Sequence, residues 1–219
     1  MSPRSLALRS ARGRLSTAAV LLACAMWPSA AGAQTVGGGV YVSFGQMHFA
    51  ATETFDAVFG STHVRSIMVG GTVNGIWRRV FADVSISQVT LDGQRVFVDR
   101  GEIFPLGIST TVKVRPFDVV GGWRFDVGRV FPYVGAGITV MSYSESDEFA
   151  DSADEVSETR TGPALLAGAD VAIARHLRVG GDVRYRSVSG ILGEGGASEA
   201  FDEDQLGGFA FGLRVGVGW

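Results

Sequence analysis

The chain has 219 residues, of which 46% are hydrophobic, 31 are glycine and one is cysteine. This hydrophobic content excludes a disordered chain, and a lone cysteine excludes a scaffold held by internal disulfides. The glycine-rich, apolar composition, without long helical patterns, favours an all-β protein.

The first 33 residues have the three parts of a secretory signal peptide. The basic stretch contains Arg4, Arg9, Arg12 and Arg14 and no acidic residue. An apolar run follows from Leu15 to Trp27, and Ala31-Gly32-Ala33 supplies the small residues that signal peptidase accepts. We therefore predict cleavage after Ala33, which leaves residues 34–219 as one mature domain.

Cleavage changes the charge of the chain. It removes four of the 19 basic residues and none of the 22 acidic ones, which leaves 15 against 22 and a net charge of −7. A chain this acidic is not expected to bind nucleic acid.

Two alternatives for the N-terminus stay open. The apolar run could remain as a membrane anchor, although about 20 residues are needed for a helix to cross a bilayer. Leu21-Leu22-Ala23 also precedes Cys24, as in a lipoprotein signal, although leucine fits poorly directly before the small residue.

Beyond Ala33 no segment is apolar over 18 residues, and hydrophobic residues recur at every second position, which is typical of strands. We predict eight strands, at residues 36–47, 63–77, 79–98, 106–125, 131–143, 162–174, 177–188 and 209–219. An even number of strands is what a bacterial membrane barrel requires.

The last strand shows which face is apolar. Large apolar residues alternate there with glycine, alanine and one arginine, Arg214. In a narrow membrane barrel the large residues face lipid and the small ones face a crowded lumen. We therefore predict an eight-stranded antiparallel up-and-down transmembrane β-barrel. A soluble ligand-binding barrel of the lipocalin type is the alternative, and it would turn Arg214 outward.

The links between strands alternate in length. Short links fall near residues 77–79, 126–130 and 174–176, and long polar links at 48–62, 144–160 and 189–205. Strands three and four are predicted to form a projecting ribbon that turns at Asp99-Arg100-Gly101. Because short turns are periplasmic and long loops external in such barrels, both termini are predicted to be periplasmic.

Pro116 interrupts the fourth predicted strand and cannot donate to the hydrogen-bond ladder. The apolar residues also change parity there, from Val112 and Val114 to Phe117 and Val119. We predict a β-bulge at residues 116–117 that restores one apolar face.

If the apolar residues of each strand face outward, the residues that alternate with them face the lumen. This places four acids and four bases inside the barrel: Asp83, Asp118, Arg124, Asp170, Asp182, Arg184, Arg186 and Arg214. Buried charges must be paired and hydrogen-bonded. The balanced set therefore predicts a polar, filled interior that blocks diffusion, with a small ion or solute channel as the alternative.

Two long loops are acidic, with Glu145, Asp147, Glu148, Asp151, Asp154, Glu155 and Glu158 in one and Glu194, Glu199, Asp202, Glu203 and Asp204 in the other. They could contact an extracellular ligand or divalent cations. Their spacing does not match an EF-hand loop, so no metal site is predicted.

Catalytic patterns are weak. His48, His63 and His176 are scattered, and Ser66 lies three positions after His63, on the opposite face of a strand. Zinc spacings and phosphate-binding glycine loops are absent from the sequence. We expect no catalytic residue and no cofactor. A lipid-modifying barrel enzyme is the least favoured alternative, because it would need His, Ser and an acid at one rim.

The segment Pro132-Tyr133-Val134-Gly135-Ala136-Gly137 and the last strand resemble the OmpA/OmpX-like family of eight-stranded outer-membrane β-barrels, over the whole mature length. Alternate residues of that strand look like the signal read by the barrel-assembly machinery, with Trp in place of the usual terminal Phe: Phe211, Leu213, Val215, Val217 and Trp219.

The resemblance implies a place among outer-membrane lipids, assembly from the periplasm, and roles from membrane integrity to adhesion. It implies no catalytic residues. The leading hypothesis is a monomeric, non-enzymatic barrel with a structural or surface-interaction role.

Overall fold

The computed structural model describes residues 36–99, 102–147, 156–192, 198 and 201–219. The strands are β1 Gly37–Phe49, β2 His63–Asn74, β3 Val80–Asp99, β4 Glu102–Arg124, β5 Val130–Asp147, β6 Val156–Ala172, β7 Leu177–Ser189 and β8 Gln205–Gly218, and the helix α1 is Thr52–Phe59. In this part of the chain no helix is long and apolar enough to cross a membrane.

Each strand pairs with the next in antiparallel order, and β8 pairs with β1, which closes the barrel. The predicted eight-stranded up-and-down barrel is confirmed. The predicted signal peptide, residues 1–33, and Cys24 within it lie outside the described residues.

The two ends of the barrel differ. At the turn end, short links at residues 75–79, 125–129 and 173–176 join the strands, and β1 starts and β8 ends there. At the loop end, α1 lies in the link between β1 and β2.

Side chains alternate between the two faces of the wall as strand geometry requires. Leu213 on β8 is 72% exposed on the outside, whereas its neighbour Arg214 is 7% exposed and faces the lumen. Apolar residues therefore cover the outer wall, and the lipocalin-type alternative is wrong.

The β3–β4 hairpin extends beyond its neighbours. The β2–β3 ladder stops at Gln88 and the β4–β5 ladder stops at Thr110, while β3 and β4 remain paired out to Asp99 and Glu102. The predicted ribbon is thus confirmed, whereas residues 100 and 101 of its predicted turn lie outside the described residues.

The predicted bulge at Pro116 is wrong. The pairing of β4 with β3 keeps one register from Trp123 to Ser109, and Pro116 lies opposite Met141 without a shift. The irregularity lies further out, between Gln94 and Val96. The parity change has another cause, because Val112 and Val114 are buried and face the lumen.

The loop end of the lumen is closed by an apolar layer that the sequence pattern did not predict. Val112 and Val114 belong to a buried cluster with Met47, Phe49, Ala51, Phe55, Val89, Leu91, Met141, Tyr143, Val188, Ile191, Leu206 and Ala210. The predicted polar loop at 48–62 instead folds partly into α1. Phe55 of α1 stacks on Phe49 with ring centroids 4.2 Å apart, so this link fills the mouth of the barrel.

Candidate functional site in the barrel lumen

All eight charged residues assigned to the interior are buried in the lumen, with relative exposures of 1–7%. They are carried by β3, β4, β6, β7 and β8. Alternation alone places them there, because successive side chains of a strand point to opposite faces. Each of these residues has the parity of the inward-facing positions of its own strand.

Arg184 of β7 is the centre of the network. Its Nη2 donates to Asp83 Oδ1 on β3 at 3.1 Å and to Asp182 Oδ2 at 3.2 Å. Its Nη1 donates to Asp118 Oδ2 on β4 at 3.2 Å. Since β3 and β7 are diametrically opposed among eight strands, this side chain spans the lumen.

Arg186, at the next inward position of β7, binds the carboxylate of Asp118 as well. Its Nη2 and Nε donate to Asp118 at 2.7 Å and 2.9 Å. Asp118 thus receives two guanidinium groups, a charge-assisted arrangement stronger than neutral hydrogen bonds.

The third arginine, Arg214, lies nearer the turn end. Its Nε is 3.1 Å from Asp170 Oδ1, and its guanidinium lies 3.9 Å from the centroid of the Tyr41 ring. Arg124 approaches Asp170 from β4, with its Nη2 3.1 Å from Oδ2. The carboxylate of Asp170 therefore joins two arginines from different sides of the lumen.

Neutral polar residues missing from the predicted set complete the network. Tyr41 OH and Thr72 Oγ1 both donate to Asp83, at 2.9 Å. Tyr133 OH accepts from Arg214 Nη1 at 2.9 Å. Inward parity along β1, β2 and β5 is the sequence signal that identifies these positions, because they alternate with the outward apolar residues of the same strands.

The structure brings together two histidines that lie 15 residues apart in the sequence. His48 on β1 lies opposite His63 on β2, with ring centroids 4.3 Å apart. Among the described residues no group of three or more His, Cys, Asp and Glu could hold a metal ion.

Half of the acidic residues named for the two long loops lie in the described part of the chain. Glu145, Asp147, Glu158 and Asp202 to Asp204 are described, whereas Glu148, Asp151, Asp154, Glu155, Glu194 and Glu199 lie outside the described residues. The carboxylate of Glu203 accepts from the backbone N–H groups of Glu53 and Thr54 in the first turn of α1. One acidic loop therefore holds the helix that covers the lumen.

Solved structures share this fold. Ail, the attachment invasion locus protein of Yersinia pestis, is 14% identical, with a TM-score of 0.51 over 84% of this chain and 99% of Ail. A major outer membrane protein from Thermus thermophilus is 12% identical, with a TM-score of 0.51 over 84% of this chain and 98% of that protein. At these identities the likeness shows the fold alone.

No curated protein matches the chain. The family model for the outer membrane protein β-barrel domain matches residues 16–219, nearly the whole sequence. A closed eight-stranded wall, apolar outside and charged inside, is the architecture that this family has in the bacterial outer membrane. The chain therefore belongs to the outer membrane protein β-barrel domain family.

Proposed function

We propose that the chain is a closed, non-enzymatic barrel with a structural or surface-interaction role, carried out at its loop end. The occluded lumen is the observation that carries this proposal. Arg184 crosses from β7 to Asp83 on the opposite strand. Beyond it, the apolar layer with Phe55 fills the remaining mouth.

The topology supports an orientation. The described wall begins at Gly37 and ends at Gly218, and both residues lie at the turn end. Because short turns lie on the periplasmic side of such barrels, we propose periplasmic termini, an external loop end, and removal of residues 1–33 during export.

The outer face of β8 supports the proposed assembly signal and lipid contact. Its alternate apolar side chains are 47–72% exposed: Phe211, Leu213, Val215, Val217 and Trp219. Outer-membrane lipids would cover this face after the barrel-assembly machinery has read it. We also propose that the barrel is a monomer.

The loop end offers the surface for an external partner. The ribbon of β3 and β4 exposes Phe97, Ile103 and Phe104, and the acidic residue Glu203 contacts the first turn of α1 at the mouth. Ail was crystallised with sucrose octasulfate, a heparin analogue. The acidic loops of this chain favour a cationic or cation-bridged ligand instead, since like charges repel.

Reconstitution into planar lipid bilayers tests the closed state. We expect no steady single-channel steps, because charged and apolar side chains fill the lumen. A general porin in the same bilayer is the positive control. Steady, reproducible steps from this protein would contradict the proposal and favour the channel alternative.

A further inference from the structure

The charges of the polar lumen do not balance at its turn end. Arg178 of β7 is a fifth inward-facing arginine, half-buried beside the four arginines and four aspartates already described. In the described part of the chain, no carboxylate lies within ion-pair distance of Arg178. Among the described residues, the inward-facing charges around the cavity at this end are Arg124, Arg178 and Arg214 against Asp170 alone.

The cavity beside this excess positive charge is small. Arg124, Arg178, Arg214 and Asp170 line it together with Asn74, Tyr41 and glycines of β1 and β8. The volume of this cavity is about 20 Å³, which is room for one or two waters. We call these four charged residues and their cavity the basic mouth.

The guanidinium groups of the basic mouth are fixed in place. Arg124 and Arg178 both lie over the Phe131 ring, 4.9 Å and 5.1 Å from its centroid. Such cation–π contacts hold the two cations near one another despite their mutual repulsion. Preorganised cations of this kind lower the cost of binding an anion.

One of these cations has unused hydrogen-bonding capacity. Arg124 is 7% exposed, yet its Nη2 forms no hydrogen bond within the described residues. Its 3.1 Å approach to Asp170 Oδ2 is an ion pair without hydrogen-bond geometry. A buried donor without an acceptor is costly, so a further acceptor in the cavity would be stabilised.

We propose that the basic mouth binds one small oxyanion, a carboxylate or phosphate group, which enters from the aqueous side of the turn end. Because the cavity holds only one or two waters, the anion places one or two of its oxygens there and its remaining atoms stay in the solvent at the turn end. Arg178 is the principal anchor, because it has no carboxylate partner within the described residues. The site does not depend on which way the barrel is oriented.

The test uses inorganic phosphate as the probe and the folded full-length mature barrel in nonionic micelles that contain no phospholipid. Calorimetric titration at constant ionic strength should show one saturable site. R178Q should weaken phosphate binding by about tenfold or more, because a charge-assisted contact is lost. R160Q is the matched control, since Arg160 is exposed and pairs with Glu158 near the loop end, and it should not change the affinity.

A second variant, with the opposite expected effect on phosphate affinity, keeps the test decisive if R178Q does not fold. D170N removes the single acid of the basic mouth and should tighten phosphate binding. Absence of saturable binding, or equal affinities in the wild type and R178Q, would overturn the proposal. Phosphatidylglycerol added to the micelles separates the sources of phosphate. An Arg178-dependent interaction with this lipid that displaces inorganic phosphate would overturn the assignment to a free anion.

Discussion

The carboxylate of Glu203 accepts a 2.8 Å hydrogen bond from the backbone N–H of Thr54 and a 3.1 Å bond from that of Glu53. It thereby provides the side-chain cap that Ala51, at the N-cap position of α1, cannot provide. This contact joins the link before β8 to the link after β1. The two links that cover the lumen are thus held as one unit.

Loss of this contact should loosen the cover of the lumen. E203A leaves the first N–H groups of α1 without acceptors, which costs about 1 kcal/mol for a typical helix cap. We expect amide hydrogen exchange in residues 52–59 to become about fivefold faster. D204N, which removes a neighbouring charge, is the control. Equal exchange in E203A and the wild type would show that Glu203 does not hold α1.

The central arginine should be the most sensitive position of the lumen. R184M leaves Asp83, Asp118 and Asp182 without their shared cation, and an uncompensated buried charge costs about 3–5 kcal/mol. We expect a loss of this size in urea unfolding from lipid vesicles. R160M should cost less than about 1 kcal/mol, because exposed ion pairs contribute little. A loss in R184M no larger than that in R160M would contradict the described network.

Adjacent glycines on β4 should respond differently to the same substitution. A Cβ at Gly122 would overlap the carbonyl oxygen of Val134 and lie 2.5 Å from the Cα of Gly135. A Cβ at Gly121 has its nearest neighbour at 3.8 Å. We expect G122A to lower the unfolding free energy by roughly 1–3 kcal/mol and G121A to change it by less than about 0.5 kcal/mol. Similar effects of the two substitutions would place β4 in a different register.

The destabilisation caused by an arginine on the outer wall should depend on its depth in the membrane. Ile138 is 52% exposed on the outer face of β5, and Ser144 lies six residues nearer the loop end on the same face. We expect I138R to destabilise the vesicle-inserted barrel by about 2–4 kcal/mol and S144R by about 0–1 kcal/mol. Equal effects would mean that the band around Ile138 is not surrounded by lipid.

Trp219 should matter for assembly in cells more than for stability. Trp219 and Trp77 are both exposed at the turn end, at 72% and 64%. We expect W219A to reduce the fraction of heat-modifiable, folded barrel in cell envelopes, and W77A to leave it unchanged. The two purified variants should refold with similar unfolding free energies. An equal yield from both in cells would contradict a signal role for Trp219.

The wall of the barrel could be predicted from local sequence pattern. Period-two alternation dictates which side chains share a face, so Arg214 and Leu213 can be assigned to opposite sides without a structure. The strand count, and the start of β1 and the end of β8 at one end of the barrel, follow from the lengths of the links, which are equally local.

The apolar layer at the loop end and the partners of the lumen charges could not be predicted in this way, because they depend on contacts between distant strands. A wholly polar interior has no place for inward Val112 and Val114, which is why the sequence alone predicts a bulge at Pro116 that the structure does not have. Closure of the barrel brings these valines together with Phe55 of α1, and burial of apolar surface stabilises that layer. The hydrogen bond from Arg184 to Asp83 spans 101 residues and exists only because β3 and β7 face each other across the lumen.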